Sequence, residues 1–191
     1  MNHQNSIKLK LLVRIGMLGA LSFVIMLVEF YIGFAEFLKL DLSDVVAMIA
    51  GITMGPMAAV GVQFVKNLLK VVIASKTVGI GELANLIVGI AYVLPATLIY
   101  HRVKGNKGLI VGLIAGALTM VVVACFANFT LLLPAYWSFI SQKTMTAAAK
   151  WNYIKAIILP FNIIKGVLVS ILTYFVHITL KPLYKHLVIN N

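Results

Sequence analysis

Long apolar runs constrain this chain more than any other feature. Reading along the sequence, they cover roughly residues 10–32, 43–55, 56–75, 81–100, 109–133 and 153–180, with 43–55 the shortest. A bilayer-spanning helix needs about 20 apolar residues, so most of these runs are long enough to cross a membrane. Composition agrees: 62% of positions are hydrophobic, 11% are charged, and the mean hydropathy is +1.04. A soluble domain does not tolerate such a balance. In hydrocarbon the backbone must satisfy its own hydrogen bonds, so the choice lies between helices and a closed barrel. Uninterrupted runs exclude the alternating pattern of barrel strands. The expectation is an all-α integral membrane protein with six transmembrane helices in one transmembrane domain, with no length over for a soluble catalytic or nucleotide-binding domain.

The punctuation between runs fits this division. Gly55-Pro56 separates the second run from the third, and a proline suits a first helical turn because its missing N–H costs nothing there. The N-terminus, with Lys8, Lys10 and Arg14 before an apolar run, superficially matches a signal peptide. The run continues to Ile32, too long for such a segment, and is read as a retained first span.

A net charge of +11 would suggest a nucleic-acid partner in a soluble protein. Beside membrane spans it is a topology signal, and no nucleic acid is expected. Lys8, Lys10, Arg14, Arg102, Lys104, Lys107, Lys181 and Lys185 fall on one side of the six-span arrangement, and Lys39, Lys76, Lys143 and Lys150 on the other. Eight against four places both termini in the cytoplasm. The connection 134–152 is then external, bracketed by Tyr136, Trp137, Trp151 and Tyr153 as interfacial aromatics.

All five acids (Glu29, Glu36, Asp41, Asp44 and Glu82) lie between positions 29 and 82. On this topology they occupy the outer half or the external loops, and such a concentration suggests a cavity opening outward. Gln63, Lys66, Asn67 and Lys70 lie 3, 4 and 7 residues apart and share one helical stripe. Lysine at a helix centre costs roughly 2.5–3.5 kcal/mol on insertion scales. The two lysines therefore face an ion-pair partner, an interface reached by snorkelling, or a ligand. Asp41, Ser43 and Asp44 fit helix capping, and Glu82 fits a cap, a salt bridge or a site residue. Asn85, Asn128, Asn162 and Lys165 complete the intramembrane polar set. Each asparagine offers a donor and an acceptor, useful as interhelical glue or against a heterocycle with adjacent carbonyl and N–H groups.

Several chemistries are missing. There is no G-x-x-x-x-G-K-[ST] run for ATP and no G-x-S-x-G nucleophile motif. His3, His101, His177 and His186 have no metal-ligand spacing, and the single cysteine, Cys125, reads as packing. No catalytic residues, metal or cofactor are expected, and transport or ligand binding leads over catalysis.

The stretches Glu36-Phe-Leu-Lys-Leu-Asp-Leu-Ser-Asp44, Ala50-Gly51, Gly55-Pro56, Lys66-Asn67-Leu-Leu69 and Gly79-Ile-Gly-Glu-Leu-Ala-Asn85 together resemble the riboflavin-specific substrate-binding (S) components of energy-coupling factor (ECF) transporters. The likeness covers roughly residues 10–180. It implies the six-helix S-component fold, with termini cytoplasmic and a vitamin pocket near the outer face, covered by the loop after the first span. Substrate-binding residues then map to Glu36, Phe37, Leu38 and Lys39 in that loop, and to Asn128, Asn162 and Lys165, with Glu82 and Asn85 as neighbours. Riboflavin is bound as transported substrate rather than as a cofactor.

The family's partners are a transmembrane coupling subunit and two ATPase subunits, and toppling in the membrane releases the vitamin inward. The family docks through a small-xxx-small motif on the first span, usually alanine at both ends; here it reads Gly16 and Ala20. Three rival readings are another vitamin or a flavin nucleotide as substrate, a small membrane enzyme using Glu82, Asp44 or Lys70, and a carrier working without partners.

Overall fold

The computed structural model describes residues 3–31, 38–103, 105–141 and 145–184. Among these the chain is helical except for short turns and one antiparallel pair, β1 (Phe30–Tyr31) with β2 (Lys39–Leu40), in which Phe30 faces Leu40. The helices are α1 (His3–Met26), α2 (Asp44–Met54), α3 (Pro56–Ala74), α4 (Ile80–Val103), α5 (Gly105–Ala127), α6 (Leu133–Ser141), α7 (Ala147–Tyr153) and α8 (Leu159–Tyr184). Five stretches are long and apolar enough to cross a membrane: 5–26, 56–74, 80–103, 105–138 and 147–182. The sixth expected span, α2, has 11 residues and is only about 16 Å long at 1.5 Å per residue.

Three boundaries differ from the sequence expectation. Helix α1 stops at Met26, and the chain turns at Leu27–Val28 into β1 rather than remaining helical to Ile32. At the other two, helix replaces expected connection. Residues 128–132 and 154–158 form π turns that join α5 to α6 and α7 to α8. The N–H of Leu133 reaches the carbonyl of Asn128, and that of Leu159 reaches Ile154. A proline follows each, Pro134 and Pro160. Proline normally breaks a helix because its ring strikes the carbonyl four residues back; a widened turn at that point lets the helix run on.

Helix α3 is apolar on its outside. Gln63, Lys66, Asn67 and Lys70 are buried, while Phe64, Leu68, Val71, Val72 and Ile73 are exposed, the arrangement required when the surrounding solvent is lipid. Helix α2 is the centre of the bundle, with Ala47 and Ala50 fully buried and α1, α3, α4 and α8 packed around it. Gly55, at φ +102°, makes the reversal between α2 and α3 in a conformation that other residues adopt only with strain. Among the described residues the most extensive helix pairing is α4 against α5, through Gly112 on the Ala96 carbonyl and Gly116, where an added Cβ would sit 2.5 Å from the Tyr92 carbonyl oxygen. Small residues four apart let membrane helices approach this closely, and van der Waals contact rather than hydrophobic burial holds them.

Candidate substrate-binding cavity

The polar residues of α3 meet those of α2, α4 and α8 in one buried network. It begins just before α2, where Asp41 Oδ1 accepts the Ser43 N–H at 3.0 Å and also bonds the Ser43 hydroxyl. Ser22 of α1 ties this corner down by donating to the Ser43 carbonyl at 2.9 Å. Asp41 thus makes a capping bond at the entry to α2, and the expected capping role is corrected for Ser43. Ser43 makes no side-chain cap bond to α2, and its hydroxyl accepts instead from Lys66 Nζ at 2.7 Å.

Asp44 opens α2 but its carboxylate is committed elsewhere. Oδ1 accepts from Lys66 at 2.5 Å and from Gln63 Nε2 at 2.8 Å, and Oδ2 lies 3.0 Å from Lys165 Nζ. Lys165 also donates to Asn85 Oδ1 at 3.0 Å and reaches Asp41 Oδ2 at 3.5 Å. Asn85 passes the chain back to α3 by donating to Asn67 Oδ1 at 3.3 Å. Two carboxylates thus face two ammonium groups with no surplus charge. Charges taken out of water persist only when paired, and here Asp44 Oδ2 is held by its ion pair with Lys165 alone.

A second cluster sits where α1 ends. Glu29 accepts from Lys70 at 2.6 Å through Oε1 and pairs with Lys39 of β2 through Oε2. Burial works to raise the Glu29 carboxyl, but hydrogen bonds from Lys39 and Lys70 and the charge of both lysines outweigh it and hold the group below the usual carboxylate range. A third acid, Glu82 in the first turn of α4, accepts from Ser75 Oγ at 3.0 Å and Thr77 Oγ1 at 3.1 Å.

Between these clusters lies a cavity of about 170 Å³, counted at the centres of water-sized groups rather than to the walls. Leu38, Lys39, Glu82, Asn85, Asn128, Asn162 and Lys165 all line it, so seven of the nine residues expected at the site are brought together from a loop and three helical segments. Glu36 and Phe37 lie outside the described residues. Gly16 and Ala20, on α1, do not line the cavity. Nothing lies within 4 Å of where a Gly16 Cβ would be, whereas Gly19 and Ile15 form the contact with α3. Among the described residues, no group of three His, Cys, Asp or Glu side chains could hold a metal ion.

Sequence reasoning left Glu29, Asp41 and Lys70 off the list of wall residues, although all three line the cavity. The clustering of acids between 29 and 82 was the available signal for the first two, and the α3 stripe for the third. Apolar walls come from Met26, Leu38, Val88 and Phe161.

The two asparagines are well prepared for a ligand edge. Asn128 Nδ2 donates to the Ala124 carbonyl and Asn162 Nδ2 to the Ile158 carbonyl, each at 2.8 Å and each one turn back along its own helix. An amide carries two N–H groups and an acceptor oxygen, so each keeps one donor and one acceptor beyond the bond that anchors it. Asn128 is the first residue of one π turn, and Ile158 is the last of the other.

Comparison with known proteins places this architecture. The family model described as ECF transporter, substrate-specific component, matches residues 10–177. The chain is 36% identical to the riboflavin transporter FmnP of Bacillus subtilis over 178 residues, covering 92% of this chain and 94% of that one. It is 37% identical to the riboflavin transporter RibU of Staphylococcus aureus over 163 residues, 85% of each. A solved S component of a bacterial ECF transporter superposes with a TM-score of 0.80 at 35% identity, covering 93% of this chain and 99% of that one.

Proposed function

The chain belongs to the substrate-specific components of ECF transporters, multi-pass proteins of the plasma membrane, and we propose that its cavity captures riboflavin at the outer face for delivery inward. The observation that carries this is the convergence of the polar Asn128, Asn162 and Lys165 and the apolar Met26, Leu38, Val88 and Phe161 on one cavity. The isoalloxazine ring is an aromatic slab with carbonyls, acceptor nitrogens and one N–H along one edge. The free donor and acceptor of Asn128 or Asn162 match a carbonyl and N–H pair on that edge, and Lys165 donates to an acceptor. The apolar wall takes the dimethylbenzene end. The ribityl hydroxyls are neutral and need hydrogen bonds without a counter-charge, which Glu82 and Asn85 supply. Riboflavin is cargo here, not a resident cofactor.

The same geometry supports a reading of transport without catalysis. Glu82 is held by two hydroxyls, and Asp44 and Lys70 are ion-paired, so none of the three stands free as a general acid or base. Energy comes from partners: a transmembrane coupling subunit and two ATPase subunits, docked on α1 at Gly16 and Ala20 from the lipid-facing side, with both termini in the cytoplasm. A bulky residue there, Gly16→Trp, abolishes uptake in cells and leaves riboflavin binding by the purified protein intact; loss of binding as well would contradict a docking role. The direct test of the cargo is flavin-fluorescence titration of purified protein stripped of bound ligand. Saturable one-to-one quenching is expected, and folded protein that leaves the fluorescence unchanged at high riboflavin would overturn the reading.

A further inference from the structure

We propose that Asp44 is a positioning residue for flavin binding, one that holds the Lys165 ammonium at the cavity wall from behind and is itself held by Lys66 and Gln63. The proposal rests on the reading of the cavity as a riboflavin site and adds to it a residue that never touches the ligand.

Lys165 has three partners. Asn85 and Asp41 both line the cavity, so an acceptor atom arriving on a ligand competes with them for the ammonium's donors. Asp44 does not line the cavity and lies behind the ammonium, 3.0 Å away. It is the partner that remains when a ligand takes a donor. An ammonium has three N–H groups on a flexible four-carbon stem, and fixing that stem costs conformational freedom. A site that prepares Lys165 in advance removes this cost from binding.

Asp44 can serve as the anchor because its two oxygens have separate work. Oδ1 is saturated by Lys66 at 2.5 Å and Gln63 at 2.8 Å, while Oδ2 faces Lys165. The side chains of Asp44 and Lys66 are wholly enclosed, so the carboxylate has no competing partner in solvent. The position of Lys165 is thereby tied to α2, the central helix, and to α3. Asp41 and Lys66 complete the charge balance, so a neutral flavin enters without leaving an unpaired charge.

The test is flavin-fluorescence titration and the absorption spectrum of the bound flavin, using the purified full chain. Because Asp44→Asn alone leaves Lys66 buried without a counter-charge, the working variant is the charge-balanced pair Asp44→Asn with Lys66→Met. It is compared with Lys165→Met and with the three changes combined. The pair is expected to weaken riboflavin binding about tenfold, the loss of one close buried ion pair's hold on Lys165. Its bound-flavin spectrum should take the form seen with Lys165→Met, and adding Lys165→Met should cost no more than about twofold further. Asp44→Glu should recover part of the affinity.

Wild-type affinity and spectrum in the pair would overturn the proposal. So would losses that multiply in full in the combined variant, since Asp44 would then act on stability rather than through Lys165. Absence of quenching by the wild-type protein is a different failure, of the riboflavin reading itself, and would remove the proposal with it.

Discussion

Among the described residues, two clusters of lysines and acids lie within reach of one cavity, and they differ in burial. In the inner one, Asp44 and Lys66 have no exposed side-chain surface, and two carboxylates balance two ammonium groups. In the rim cluster, Glu29 is 18% and Lys39 24% exposed, and one carboxylate serves two lysines. The chemistry is the same and the physics is not. Buried charge is tolerable only as a closed set, so the inner cluster is a rigid part of the fold. Partly wet charge can open at small cost, so the rim cluster is the looser of the two.

Single substitutions separate the two clusters most sharply. Asp44→Ala or Lys66→Met leaves a partner buried and unpaired, a loss of about 3–5 kcal/mol, read as collapse of thermal stability in detergent. Removing both charges together with Asp44→Asn and Lys66→Met recovers most of that loss; if the double variant is as unstable as the singles, the closed-set account is wrong. The next effect lies in the wall between the clusters. Asn128→Ala and Asn162→Ala each weaken riboflavin binding by about tenfold, equal to roughly 1.4 kcal/mol, with little change in melting temperature. Unchanged affinity in both would refute the proposed ring contacts.

The smallest effect belongs to the rim. Glu29→Gln costs about 1 kcal/mol or less, and its difference from wild type depends on pH with a definite sign. The folded Glu29 carboxyl is held low, so its contribution is complete above the ordinary carboxylate range and disappears as pH falls through the lower folded value. Melting curves of the two proteins should differ equally at pH 7 and pH 5.5 and converge only in stronger acid. A gap that closes by pH 5.5 would show that the lysines do not hold Glu29 ionised.

The large features were legible in the sequence because lipid imposes simple rules. Apolar runs gave the helices, and the stripe Gln63, Lys66, Asn67 and Lys70 marked the buried face of α3. Family likeness supplied seven of the eighteen residues that line the cavity. What escaped depends on contacts distant in sequence or on local backbone geometry. Asp44 read as a helix cap because capping is a local inference, whereas its carboxylate is bound 19, 22 and 121 residues away by Gln63, Lys66 and Lys165. The stretch from 134 read as a connection because nothing in Asn128-Phe-Thr-Leu-Leu announces a π turn that can carry a helix past proline. The G-x-x-x-G-x-x-x-G spacing at Gly108, Gly112 and Gly116 was present in the sequence, but only the structure gives its partner as α4.

The most direct test of the account is a high-resolution structure of the protein with riboflavin bound. The account predicts the isoalloxazine polar edge against Asn128, Asn162 and Lys165, with Asp44 still within ion-pair distance of Lys165 and out of contact with the flavin. A flavin seated elsewhere, or one bound in this cavity with its dimethylbenzene end toward Lys165, would contradict it.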